Sequence, residues 1–139
     1  MLRNLIICNL FLFFLSSPVY SLELRVLVNL ETQKMVVKSV DGDLYVWDVS
    51  SGKAGYSTPK GQFKPVFLSK NHRSTIYNNA RMDNSIFFNG NVAIHGTEYE
   101  DLLGEVASHG CVRISLENSE ILFNLVEKYG IYETLIEVK

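Results

Sequence analysis

Past its first 21 positions the chain alternates short apolar runs with turn-forming residues. Residues 24–29, 33–40 and 44–49 are rich in Val, Leu and aromatics, with Asn29 to Thr32 and Asp41-Gly42-Asp43 between them. Such side chains suit a pleated, packed surface, so three strands are predicted. In the third run Leu44 and Val46 share one face and Tyr45, Trp47 and Val49 the other, the pattern of a strand covered on both sides. Residues 57–65 read as a turn feeding a strand, because Pro59 fixes one φ angle and Gly61 can take a positive one. Residues 69–85, with Asn71, Asn78, Asn79 and Asn84, are predicted as irregular loop. Residues 85–88 and 92–95 flank Asn89-Gly90, a strong two-residue hairpin signal. His95 then ends a strand whose partner holds Phe87 and Phe88.

After residue 111 the period changes. Leu122, Leu125, Val126 and Tyr129 follow the i, i+3, i+4, i+7 spacing of an amphipathic helix. Ser115 suits its N-cap, Glu117 and Glu120 its positive end, Lys128 its last turn and Gly130 the C′ position. A helix at about 115–129 is predicted, followed by a final strand over 132–138. The fold class is therefore mainly β, mixed but largely antiparallel, with one helix in the C-terminal half.

Residues 1–21 follow another pattern. Arg3, an apolar stretch over 5–15 and small or polar residues over 16–21 have the form of a secretory signal, with Val19 and Ser21 at the two small-residue positions. An uncleaved anchor is the competing reading. Those apolar residues would rise only about 17 Å as a helix, against roughly 30 Å of hydrocarbon. The expectation is a signal peptide at 1–21, a single domain at 22–139, and no stable membrane span after signal removal. Cys8 would leave with the signal.

A length of 139 residues suits one domain. The formal charge of −2 becomes one unit more negative once Arg3 is lost. The remaining Lys and Arg form no stripe, which argues against a nucleic-acid partner. No repeat, low-complexity tract or linker interrupts the domain.

Cys111 is then the one cysteine left, in the run Ser108-His109-Gly110-Cys111, with His95 sixteen positions upstream. An exported cysteine without an intramolecular partner is buried, joined to another molecule, or reactive. A thiol attacks as its thiolate, and a nearby imidazole that takes the proton is the minimal activation for acyl transfer. His95 would meet Cys111 if residues 96–107 folded back, and Gly110 leaves room for substrate and for N–H groups aimed at an oxyanion. Spacing alone leaves an inert, buried cysteine equally open.

His95-Gly96-Thr97, with residues 96–107 separating His95 from Ser108-His-Gly-Cys-Val-Arg113, resembles the signature of the L,D-transpeptidase catalytic domain family (YkuD-type). Ser57-Thr-Pro-Lys-Gly-Gln-Phe63 resembles that family's Thr-Pro-x-Gly segment, and residues 49–53 its strand-end Ser-x-Gly-Lys turn. The likeness spans most of residues 24–138. It implies Cys111 as nucleophile, His95 as general base oriented by the Gly96 backbone carbonyl, and His109 as a supporting residue. It also implies an oxyanion hole lined by the backbone around Gly110 and Cys111, and an oxyanion and substrate-binding region that includes Ser108, Gly110 and Arg113. The Arg113 guanidinium would pair with a carboxylate, or equally form a salt bridge holding the motif loop.

The implied activity is that of an exported cysteine acyltransferase, in the periplasm or cell envelope. It would act on peptidoglycan tetrapeptide stems through a Cys111 thioester, for cross-linking or protein attachment. The resemblance implies an amine acceptor on a second stem, on a wall-anchored lipoprotein or on a free amino acid. With water as acceptor the same site would be an L,D-carboxypeptidase. No metal or organic cofactor is called for, because the thioester stores the acyl group.

Two rivals come from other classes. His95, His109 and Cys111 are ligand types for Zn²⁺, but a fourth protein ligand and familiar finger spacing are missing. A noncatalytic wall-binding module with a buried Cys111 is the second. Among the remaining residues, His72 reads as a solvated loop residue, and Trp47, Phe87 and Phe88 as core. Tyr77 and Tyr99 read as loop residues within reach of substrate. Glu98, Glu100, Asp101 and Glu105 read as a solvated acidic face.

Overall fold

The computed structural model describes residues 22–139; the expected signal peptide at 1–21 lies outside the described residues. Two sheets and one helix share a single core. The first sheet holds β1 (Leu24–Asn29), β2 (Lys34–Ser39), β3 (Leu44–Asp48), β4 (Gly61–Phe63) and β9 (Thr134–Val138), in the order β3-β2-β1-β9-β4. The second holds β5 (Phe67–Arg73), β6 (Arg81–Asn89), β7 (Val92–Thr97) and β8 (Val112–Ser115), in the order β5-β6-β7-β8. The helix α1 (Leu116–Tyr129) follows β8 directly. Pairing is antiparallel except for β1 with β9 and β7 with β8.

Alternation dictates the core. Leu24, Val26 and Val28 point inward from β1, and register sets Val26 opposite Val37 and Val28 opposite Met35. Ile86, Phe88, Ile94, Val112 and Ile114 answer from the second sheet, and Leu122, Phe123 and Val126 from α1. Fully burying one such side chain stabilises by roughly 1.5–3 kcal/mol. The Phe63 and Phe88 rings, 5.2 Å apart, tie β4 to β6.

The helix begins as its sequence dictates. The Ser115 side chain accepts the Asn118 N–H at 3.1 Å, and the Gly130 N–H closes the other end on the Val126 carbonyl. The Asn89-Gly90 hairpin also forms, with Phe87 opposite Ala93.

Two expectations are corrected. β3 is the edge of its sheet: Leu44 and Val46 are exposed, while Tyr45 and Trp47 pack against the core. Apolar residues on both faces were the signal for double cover, but an edge strand can leave one such face in water. Residues 69–85 are not irregular loop. They supply most of β5, a turn at 74–80 and the start of β6. That hairpin is held by its backbone ladder and by the Ser74 hydroxyl, which accepts the Ile76 and Tyr77 N–H groups. Asn78 and Asn79 adopt positive φ in the turn, and Asn84 does so within β6, where the register with β7 shifts.

The helix packs tightly on β7 at Gly96. A Cβ there would stand 2.5 Å from Ser119 Oγ and 3.0 Å from Leu116 Cδ2, so α1 rests directly on the β7 backbone. Gly96→Ala is expected to lower unfolding free energy by about 1–3 kcal/mol, the usual range for overpacking. Urea unfolding at unchanged m-value measures it; wild-type stability would show that the helix is not seated on β7.

Candidate active site

In β7, neighbouring side chains leave the strand on opposite faces. Ile94 enters the core and Gly96 meets α1, so His95 between them is turned to the other side, into a cavity of about 470 Å³. The parallel register with β8 sets His95 beside Arg113 and Ile94 beside Val112. Cys111, the residue before β8, therefore comes to the same cavity as His95. Its sulfur takes the Ala93 N–H at 3.5 Å.

The motif turn is pinned from three directions. The Ser108 hydroxyl donates to the Cys111 carbonyl at 2.5 Å and accepts the Gly110 N–H at 3.1 Å. The Thr58 hydroxyl donates to the Gly110 carbonyl at 2.8 Å. Residues 50–53 run alongside: Ser50 and Arg113 exchange backbone bonds of 2.9 and 2.8 Å, and the Lys53 N–H donates to the Ser108 carbonyl. Gln33 in turn holds this segment, its side-chain amide bonding Ser51 in both directions from a buried position at φ 50°.

Electrostatics follow from burial. His95 is 5 % exposed, and its Nδ1 lies 2.8 Å from the Gly96 carbonyl. A carbonyl only accepts, so Nδ1 carries the ring proton and Nε2 keeps a free lone pair. Desolvation drives the His95 pKa down to about 4, the Gly96 carbonyl opposing it and the Arg113 charge adding to it. Burial likewise pushes the Cys111 thiol up, against the Ala93 N–H and Arg113. At neutral pH the pair rests as thiol and neutral imidazole.

The sequence candidates converge unevenly. Cys111, His95, Ser108, His109, Arg113 and Gly96 all border the larger cavity. Gly110 is buried with both its N–H and its carbonyl committed to the turn. Ser108, expected at the substrate, is fully buried and its hydroxyl is likewise spent inside the turn. The exposed His109 ring is stacked on Tyr77 at 4.6 Å and edge-on to Tyr56 at 4.7 Å. Tyr77 and His109 also border a second cavity of about 260 Å³ that reaches Cys111.

His72 lies in β5, edge-on to Phe87 at 4.9 Å, and borders that second cavity instead of a solvated loop. Phe87 is its half-buried neighbour on the outer face, and only Phe88 of the Phe pair is core. Tyr99 lines the larger cavity. Of the acidic residues, Glu98 pairs with Arg81 at 2.7 Å and Glu100 accepts the Leu116 N–H at 3.2 Å. Among the described residues no three His, Cys, Asp or Glu side chains group as a metal site.

A family model described as the L,D-transpeptidase catalytic domain matches residues 23–135. The chain belongs to that family. Solved L,D-transpeptidases share its fold. One from Mycobacterium tuberculosis is 19% identical with a TM-score of 0.74, covering 84% of this chain and 57% of its own. One from Stackebrandtia nassauensis is 26% identical with a TM-score of 0.70, covering 84% and 55%. L,D-transpeptidase 3 from M. tuberculosis, solved with a faropenem-derived adduct, is 17% identical with a TM-score of 0.73, covering 84% and 60%. The chain thus spans under two thirds of the length of these proteins. Among curated proteins compared by sequence, none matches it.

Within this L,D-transpeptidase domain, sequence reasoning missed the contacts of Thr58 and Gln33. The Thr-Pro segment signalled the first; nothing local signals a clamp from Gln33.

The His95 environment predicts a stability slope. With a folded pKa near 4 against an ordinary 6.5, the unfolded chain binds more protons between those values. Wild-type stability should therefore fall as pH drops from 6.5 to 4, by on the order of 3 kcal/mol at about 1.4 kcal/mol per pKa unit. His95→Gln lacks this component, so the stability difference between the two proteins should shrink across that window in urea titrations. A pH-independent difference would contradict a buried neutral His95.

Proposed function

We propose that this domain is an exported cysteine acyltransferase of the L,D-transpeptidase type, acting on peptidoglycan tetrapeptide stems. The observation that carries it is a thiol and a buried, neutral imidazole bordering one cavity, the imidazole with Nδ1 tied down and Nε2 free. Family membership supports the substrate class, and the signal-like pattern of residues 1–21 supports export to the periplasm or cell envelope.

The reaction has two halves. His95 Nε2 takes the Cys111 proton as the sulfur attacks the carbonyl between an L-configured centre and a terminal D-residue. The tetrahedral intermediate collapses, the C–N bond breaks, and His95 returns the proton to the departing amine. The stem is left as a thioester on Cys111. An acceptor amine then attacks that thioester, losing a proton to His95, and the new amide forms as the C–S bond breaks and the thiol is restored. Acceptors are a second stem, a wall-anchored lipoprotein or a free amino acid, and water gives the carboxypeptidase outcome. Arg113, beside His95 and with its charge felt at both reacting groups, suits the binding of a substrate carboxylate.

Chromatography of disaccharide-tetrapeptide incubations tests this. Wild type should release the terminal D-residue and form cross-linked or exchanged products. Cys111→Ala should abolish product, and His95→Ala should slow it by about 10²–10⁴, with His72→Ala far less affected. Equal impairment of the two histidine variants would remove His95 from the base role.

A further inference from the structure

We propose that Thr58 is a positioning residue that aims the Cys111 N–H at the oxyanion. It rests on the acyl-transfer reading and adds to it a residue outside the Ser108–Cys111 turn. Thr58 is 4 % exposed and lies at the start of the segment leading into β4, far in sequence from the thiol. A hydroxyl has one proton to give and two lone pairs to offer. The Gly52 N–H occupies a lone pair at 2.9 Å, and the proton goes to the Gly110 carbonyl at 2.8 Å.

Both partners are built for this contact. A Cβ on Gly52 would stand 1.8 Å from the Tyr56 carbonyl oxygen and 2.8 Å from the Thr58 nitrogen, so only glycine lets the two segments close. Gly110 sits at φ +120°, a conformation that favours glycine.

The consequence is geometric. A trans peptide is planar, with its C=O and N–H on opposite edges. Holding the Gly110 carbonyl on Thr58 therefore turns the N–H of Cys111 away from the Thr58 side. That N–H donates to no acceptor among the described residues. The Gly110 N–H, by contrast, is already given to Ser108. So the free donor next to the attacking sulfur is the Cys111 N–H, and an oxyanion forms beside the sulfur that has just attacked. Donors fixed in advance stabilise that charge without reorganising.

Two rates on one thiol separate positioning from mere structural support. Acylation by a penem such as faropenem passes through an oxyanion; alkylation by iodoacetamide is a direct displacement and does not. Intact-protein mass spectrometry follows both for wild type, Thr58→Val and Thr58→Ser. Losing one oxyanion donor outright typically costs about 10²–10³ in rate. Misaiming one should slow penem acylation of Thr58→Val by about 10–100-fold. Alkylation should stay within about twofold, and Thr58→Ser should restore acylation.

Equal acylation of Thr58→Val and wild type would overturn the proposal. So would acylation and alkylation falling together, or Thr58→Ser behaving like Thr58→Val. Wild-type Cys111 that alkylates yet never acylates would instead overturn the acyl-transfer reading itself, and the positioning role with it.

Discussion

β7 and β8 run side by side in parallel, and the site depends on that pairing. Parallel neighbours cannot be joined by a tight turn; the chain must leave one end of the first strand and travel back to start the second. Residues 98–111 make that journey, through a 3-10 turn at Glu100–Leu102, and arrive with Cys111 at the head of β8. The separation of His95 from the thiol along the sequence is thus the length of a crossover. The parallel register sets Val112 beside Ile94, so Cys111 arrives next to Ala93, two positions from His95.

Burial then fixes the chemical state of the two groups. Both lose solvent, and loss of solvent disfavours charge on each, lowering the imidazole pKa and raising that of the thiol. A resting pair without separated charge keeps the proton on the thiol. The Gly96 carbonyl keeps the acceptor nitrogen available by holding the proton on the other one. Gly96 does this while lying bare against α1, so one residue serves the packing of the helix and the tautomer of His95.

Much of this was legible in the chain. Strong local signals succeeded: the alternation of β1 and β2, the Asn89-Gly90 turn, and the Ser115 to Gly130 helix with its caps. The segment at 69–85 was not legible, because a solvated hairpin lacks the apolar alternation that marks a strand and is held by backbone bonds that any residue can make. Edge position misled the reading of β3, since neighbours are a tertiary property. At the site, residue types and order pointed to Cys111 and His95. The supports from Thr58, Gln33 and residues 50–53 come from segments distant in sequence, and only the fold brings them under the motif turn.

The central claim is that a tetrapeptide stem passes through a thioester on Cys111. Acid quenching early in the reaction with a disaccharide-tetrapeptide, followed by intact mass and peptide mapping, tests it directly. The account predicts one added acyl group, the mass of the disaccharide-tetrapeptide less that of the free terminal amino acid, on the peptide containing Cys111. Product formation with no adduct at any time under acceptor-free conditions, or an adduct on another residue, would contradict it.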